Sequence, residues 1–181
     1  MGLTKLYQTY YAVELDHVGE SWGGNTYTKL LVTEYPDDAI ESTASTQSAD
    51  VTFLYPTIVA NVYYLDGIAE GYITLQNCHA SNTATVTSYT VTLKKTEDVP
   101  SAETTLGSYT QSISTDNTIA AVTGELRLPV YMNISHQKVT ENEKLLLNIT
   151  YVSTGGTVYV KHELDSSDPD IKIKVPYLPQ G

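Results

Sequence analysis

The densest hard-oxygen chemistry in the chain lies in one acidic turn, Glu163-Leu164-Asp165-Ser166-Ser167-Asp168-Pro169-Asp170. Asp165, Asp168 and Asp170 present carboxylates within a short loop, the kind of ligand set that calcium takes. The turn lacks the glycine and terminal glutamate of an EF-hand loop, and Asp and Ser in such turns also bond their own backbone. A plain capped turn without a cofactor is therefore the expected reading, with calcium as the alternative. His17, His79, His136 and His162 stand in four separate segments, with no HxH or HExxH spacing to set two on one zinc ion. Cys78 and His79 have the chemistry of a thiol and its base, but adjacent residues of a strand point to opposite faces. Cys78 is expected to be a small core residue. No GxSxG elbow presents a serine, and Gly23-Gly24 follows Trp22 without the lysine and helix of a phosphate loop. Trp22 could stack on a sugar ring or anchor its loop on the core, and anchoring is expected. No catalytic set emerges, and an enzyme is not expected.

Composition narrows the partners. The chain has 181 residues, 21 acidic against 10 basic, and a formal net charge of −11. Phosphate backbones and anionic membranes are bound through Lys and Arg clusters, so neither nucleic acid nor membrane is an expected partner. No run approaches the ~20 apolar residues of a spanning helix. The N-terminus lacks the apolar core of a signal peptide, which predicts synthesis in the cytoplasm. The sequons Asn133-Ile134-Ser135 and Asn148-Ile149-Thr150 are then chance matches. One Cys leaves no internal disulfide framework. The unusual feature is 15 Tyr against one Phe. Tyrosine combines an apolar ring with a wet end, which suits half-buried faces and interfaces.

The elements that must hold these residues are strands. From about residue 27 the apolar period is two. Ile171, Ile173 and Val175 alternate with lysines; Leu145, Leu147, Ile149 and Tyr151 with polar residues; Leu126 to Ile134 and Tyr89 to Leu93 do the same. Pro129 cannot donate to a ladder, so its strand is placed at an edge or a bulge. Asp66-Gly67 and Gly155-Gly156 are expected hairpin turns. Eight to ten short strands without a helix predict an all-β fold, a two-sheet antiparallel β-sandwich of jelly-roll type, with a closed barrel as the alternative. Residues 1–20 are expected to form an N-terminal arm and 21–181 a single sandwich domain. Tyr131, Tyr159, Tyr72 and Tyr63 or Tyr64 fall opposite the apolar set, which predicts an outer face patched with Tyr and Thr. Tyr7 and Tyr11 on the arm and Tyr177 in the tail complete the candidate interface set.

At residues 125–170 the order of strands resembles small β-sandwich virion structural proteins of tailed phages and related viruses. An apolar strand, ELRLPVYMNIS, is followed by a polar strand with Glu143, Leu145 and Leu147. A glycine hairpin follows, then a strand that closes at Asp168-Pro169. The resemblance covers about a quarter of the chain and brings no catalytic residues. It implies a decoration, cement or minor capsid protein in the virion, with the major capsid protein or other virion subunits as partners and likeness of copies leading to a homo-oligomer. The rival reading is a carbohydrate-binding or adhesin-like module with Trp22 as its platform.

Overall fold

The computed structural model describes residues 4–14, 19–34, 49–57, 62–100, 102–162 and 168–179. Thirteen strands and no helix appear among them: β1 Leu6–Glu14, β2 Glu20–Trp22, β3 Asn25–Tyr27, β4 Lys29–Val32, β5 Asp50–Leu54, β6 Tyr63–Asn77, β7 Ala84–Glu97, β8 Glu103–Ser112, β9 Thr118–Ile119, β10 Gly124–Val139, β11 Glu143–Thr154, β12 Val158–Lys161 and β13 Lys172–Pro179. Eleven of them form one sheet, ordered β10-β6-β13-β1-β4-β5-β11-β7-β8, with β12 joined to β6 and β9 to β7; β2 and β3 make a separate hairpin. The β4–β5 contact is a single parallel pair, Leu30 with Leu54. The sheet is therefore mixed rather than antiparallel throughout.

The sheet curls until its two end strands meet. A Cβ on Gly107 of β8 would lie 2.9 Å from Met132 Cγ and 3.0 Å from the Asn133 carbonyl oxygen of β10, so only glycine admits this approach. β8 and β10 share no ladder. Side chains lace the seam instead: the Tyr89 hydroxyl donates to the Pro129 carbonyl at 2.5 Å, and Lys95 Nζ to the Lys138 carbonyl at 2.9 Å. The result is nearly a barrel. Pro129 stands on an end strand, where its missing N–H leaves no gap in a ladder.

Period-two patterning fills the interior as expected. Ile73, Leu75, Val91, Leu93, Val130, Met132, Ile134, Leu145, Leu147, Ile171 and Ile173 are all at most 2% exposed. A second cluster lies outside the barrel, where the β2–β3 hairpin covers Val13, Leu30, Leu54 and Leu146 with Trp22. That explains why Leu145, Leu146 and Leu147 are all buried: two faces of β11 are covered, one by the barrel interior and one by the hairpin.

Several expectations are corrected. Gly67 does not turn a hairpin; it takes φ +123° inside the continuous 15-residue β6, opposite a bulge in β10 between Ile134 and Gln137. Gly155 and Gly156 do turn the chain, at φ +67° and +57°, but β12 then pairs with β6 rather than back onto β11. Residues 6–14, expected as an arm, form β1, which pairs with β13 along one edge and β4 along the other. The pull into the sheet comes from Tyr10, Ala12 and Val13, all buried.

Candidate functional site

Four strands present a common outward face. The registers align Pro129, Tyr72, Lys172 and Tyr11 in one row across β10, β6, β13 and β1, and Tyr131, Glu70, Lys174 and Thr9 in the next. Asn133 and Ile68 continue the third row on β10 and β6, and Tyr7 closes it on β1. Tyr7 is 50% exposed, Tyr131 59% and Ile68 59%. Lys174 Nζ sits 4.5 Å above the Tyr7 ring and Arg127 Cζ 4.4 Å above the Tyr72 ring. Tyr131 packs edge-on to Tyr109 at 6.3 Å. Of the expected interface tyrosines, Tyr7, Tyr11 and Tyr131 share this face.

The other two are not exposed on it. Tyr159 points to the outward side as expected, opposite Gln76 on β6, but it is buried there with its hydroxyl bonded to the Gln76 carboxamide oxygen. Tyr177 is half-buried and packs edge-on to Tyr63 at 6.0 Å against the barrel core, because it shares the inward parity of Ile173 and Val175. Tyr63, one of the two alternatives expected on the outer face, belongs to the same group. Tyr10 and Tyr55 complete that aromatic group, at 5.1 Å. Burial pushes the Tyr10 and Tyr63 phenols far above their usual range. Other tyrosine hydroxyls act as cross-strand ties: Tyr151 donates to the Val158 carbonyl and burial pushes its phenol up to about 12. Phenylalanine could fill these sites but could not make the ties.

Further along the same outward side lies a polar network. Gln76 Nε2 donates to Glu125 at 3.2 Å, Lys161 to the same Glu125 oxygen at 2.7 Å, and Lys161 lies 3.6 Å from buried Asp170. Arg127 grips Asp168 through both guanidinium nitrogens, at 3.3 and 2.9 Å, and holds its carboxyl below the usual carboxylate range. The calcium reading thus finds Asp168 and Asp170 each facing a cation rather than each other, while Asp165 lies outside the described residues. Among the described residues no group of three or more His, Cys, Asp or Glu is placed to hold a metal.

The pairing with the form of a catalytic base and its orienter is His162 with Glu14. Nε2 of buried His162 lies 2.6 Å from a Glu14 oxygen, and the other oxygen of Glu14 accepts from Lys29 at 3.0 Å. The His162 and Lys29 contacts hold the Glu14 carboxyl down at about 2. His162 Nδ1, however, faces the Val160 carbonyl at 2.8 Å. Both ring nitrogens face oxygen atoms of the fold, so the arrangement clasps the end of β12 to β1. Nothing in the sequence signals this pair: its members are 148 residues apart.

The remaining sequence candidates separate. Cys78 is exposed rather than in the core, because β6 ends one residue earlier. Its neighbour Asn77 is fully buried: Nδ2 donates to the carbonyls of Asn82 and Ile119, and Oδ1 accepts from His79 and Thr157 N–H groups. His79 Nδ1 accepts from the Ser81 and Asn82 N–H groups, so it serves the turn and not the thiol. Trp22 is only 8% exposed, donates Nε1–H to the Thr96 carbonyl at 3.1 Å and lies under Lys144 Nζ at 4.2 Å. It is an anchor and is not available to stack on a sugar. Beside it Gly23, Asn25, Thr96 and Glu103 line an open depression of about 320 Å³.

No protein-family model matches the chain, and no curated protein matches it. Solved structures do. An aminopeptidase from a marine sediment Thaumarchaeota archaeon superposes with a TM-score of 0.54 at 8% identity, over 97% of this chain and 34% of the enzyme. A CocE/NonD family hydrolase from Staphylococcus aureus gives 0.52 at 10% identity, over 94% of this chain and 37% of that one; a second structure of it gives 0.50 at 11%, over 93% and 36%. The chain spans about a third of the length of these hydrolases, and at such identity the likeness is one of fold. The matches overturn the expectation that an enzyme could be set aside, since this fold recurs within hydrolases.

Proposed function

We propose that the chain is a jelly-roll β unit that works beside a catalytic domain in a hydrolase. One observation carries the reading: nearly all of this chain corresponds to about a third of each of two hydrolases. A unit of that kind supplies walls and contact surface, work that the clasps and the outward aromatic face of the described residues suit. In this reading the single parallel pair at β4–β5 and the unladdered β8–β10 seam are the two corners at which a two-sheet jelly roll folds over. The test is fractionation of the native source, assaying hydrolysis of aminoacyl anilides and aryl esters while following this chain by mass spectrometry. Co-elution with a hydrolytic activity supports the reading. Elution of the chain apart from every such activity overturns it.

A second reading is favoured by the outward tyrosines: a capsid-associated virion component that docks on other subunits through the Tyr7, Tyr72 and Tyr131 face. Tyrosine enrichment with few acids at the centre is the composition of a protein interface. Sedimentation of the chain with intact particles, and its absence from hydrolase fractions, would select this reading over the first.

A further inference from the structure

We propose that the outward face of β10, β6, β13 and β1 takes a second copy of this chain, face to face about a two-fold axis. The first ground is charge. The chain carries −11 overall, so most of its surface repels a copy of itself. The centre of this face carries Lys172 and Lys174 against the acid Glu70, and a second acid, Asp168, meets the Tyr72 hydroxyl at its edge but is paired with Arg127. Two copies meeting there avoid the repulsion that contacts elsewhere bring. Lys174 and Glu70 are cross-strand neighbours 4.0 Å apart. A two-fold axis passing between them sets each lysine against the glutamate of the other copy, the self-complementary pattern that isologous contacts need.

The second ground is that the apolar anchors are already ordered. Tyr7 is held under Lys174, Tyr72 under Arg127, and Tyr131 edge-on to Tyr109. Rings fixed before association lose little freedom on burial, which is where aromatic anchors gain over flexible side chains. Ile68 stands between them, exposed on a strand that is central to its part of the sheet.

Area sets the strength. Four strands at ~4.8 Å spacing and three rows at ~6.8 Å give a contact on the order of 400 Å² per copy. That is about half of the ~800 Å² per partner typical of stable complexes, in the class of weak, transient contacts. Association of this strength becomes firm where many copies are held together.

The test is sedimentation velocity with the full chain from about 10 μM to 1 mM. We expect concentration-dependent dimerisation, weakened at least tenfold by Ile68→Glu and by Tyr131→Glu. Val152→Glu, at a 56% exposed position on β11 outside this face, leaves it unchanged. Circular dichroism checks that each variant is folded, and Lys174→Glu, at an exposed side chain, replaces any that is not. A wild-type chain that stays monomeric to 1 mM overturns the proposal. So does equal weakening by Val152→Glu, which would place the contact elsewhere or make it a general charge effect.

Discussion

Replacing Glu14 by Gln removes the carboxylate that takes Lys29 at 3.0 Å and His162 at 2.6 Å. The perturbation has a pH signature because the folded state holds this carboxyl down, from 4.5 to about 2, with the His162 hydrogen bond as the largest cause. A group whose acidity is raised by folding stabilises the fold above its unfolded value and loses that contribution as pH falls through its folded value. The window therefore runs from about pH 5 down to about pH 2. A shift of this size corresponds to at most about 3 kcal/mol. The side chain keeps 26% of its surface in water, where screening cuts the interaction, so about 1–2 kcal/mol is expected. Urea unfolding followed by Trp22 fluorescence reads it cleanly, because Trp22 is the single tryptophan. At pH 7 the variant should unfold earlier by that amount. As the pH is lowered the wild type should lose stability toward the variant, and the two should nearly coincide at pH 2.5. A gap that stays constant from pH 7 to 2.5 would show that the loss is one of packing and would refute the charge argument.

Other perturbations give equally definite outcomes. Asn77→Ala deletes four hydrogen bonds to the backbone of three separate segments, and with buried groups left unpaired it should cost about 3–4 kcal/mol in the same unfolding assay. Tyr89→Phe keeps the ring but frees the Pro129 carbonyl at the seam, for a loss of about 1 kcal/mol and faster amide hydrogen exchange in β8. Gly107→Ala forces a methyl against Met132 and the Asn133 carbonyl, at about 1–3 kcal/mol, and should move the same exchange boundary. Calcium should leave the melting temperature unchanged, since Arg127 and Lys161 face the acids; a rise of several degrees reversed by chelator would restore the metal reading.

The strands were legible because burial on one side imposes alternation. Ile171, Ile173 and Val175 face inward as their spacing requires, and Pro129 marks an end strand because it lacks a donor. Pairing was not legible. Gly67 carries the local signature of a turn, yet it is drawn through β6 by two neighbours, β10 and β13, far off in sequence. Tyr159 alternates like an outward residue and points outward, but β12 pairs beside β6, where Tyr159 is buried next to Gln76; pairing of that range was not legible. Leu146 broke the alternation, and that break was the signal for the second cluster under Trp22. Of the candidate surface, Tyr72 and Tyr131 were readable from parity, whereas Tyr7 and Tyr11, expected on an arm, reach the face only because β1 joins β13. The clasp between Glu14 and His162 was not, because no local pattern relates residues on strands brought together only by the closure of the sheet.

The pairing of β1 with β13 has a mechanical side. Leu6 lies opposite Tyr177 and Tyr11 opposite Lys172, so the start of β1 is beside the end of β13 and the two chain directions run apart from there. A force that pulls the two ends of the folded unit away from each other loads one cross-strand bond at a time, from Leu6 inward, as a zipper is loaded. A pull between β10 and β11 would instead meet whole ladders at once. Under tension this unit yields first at its ends, peeling Tyr7 from Lys174 and so dismantling the aromatic face before the core is touched.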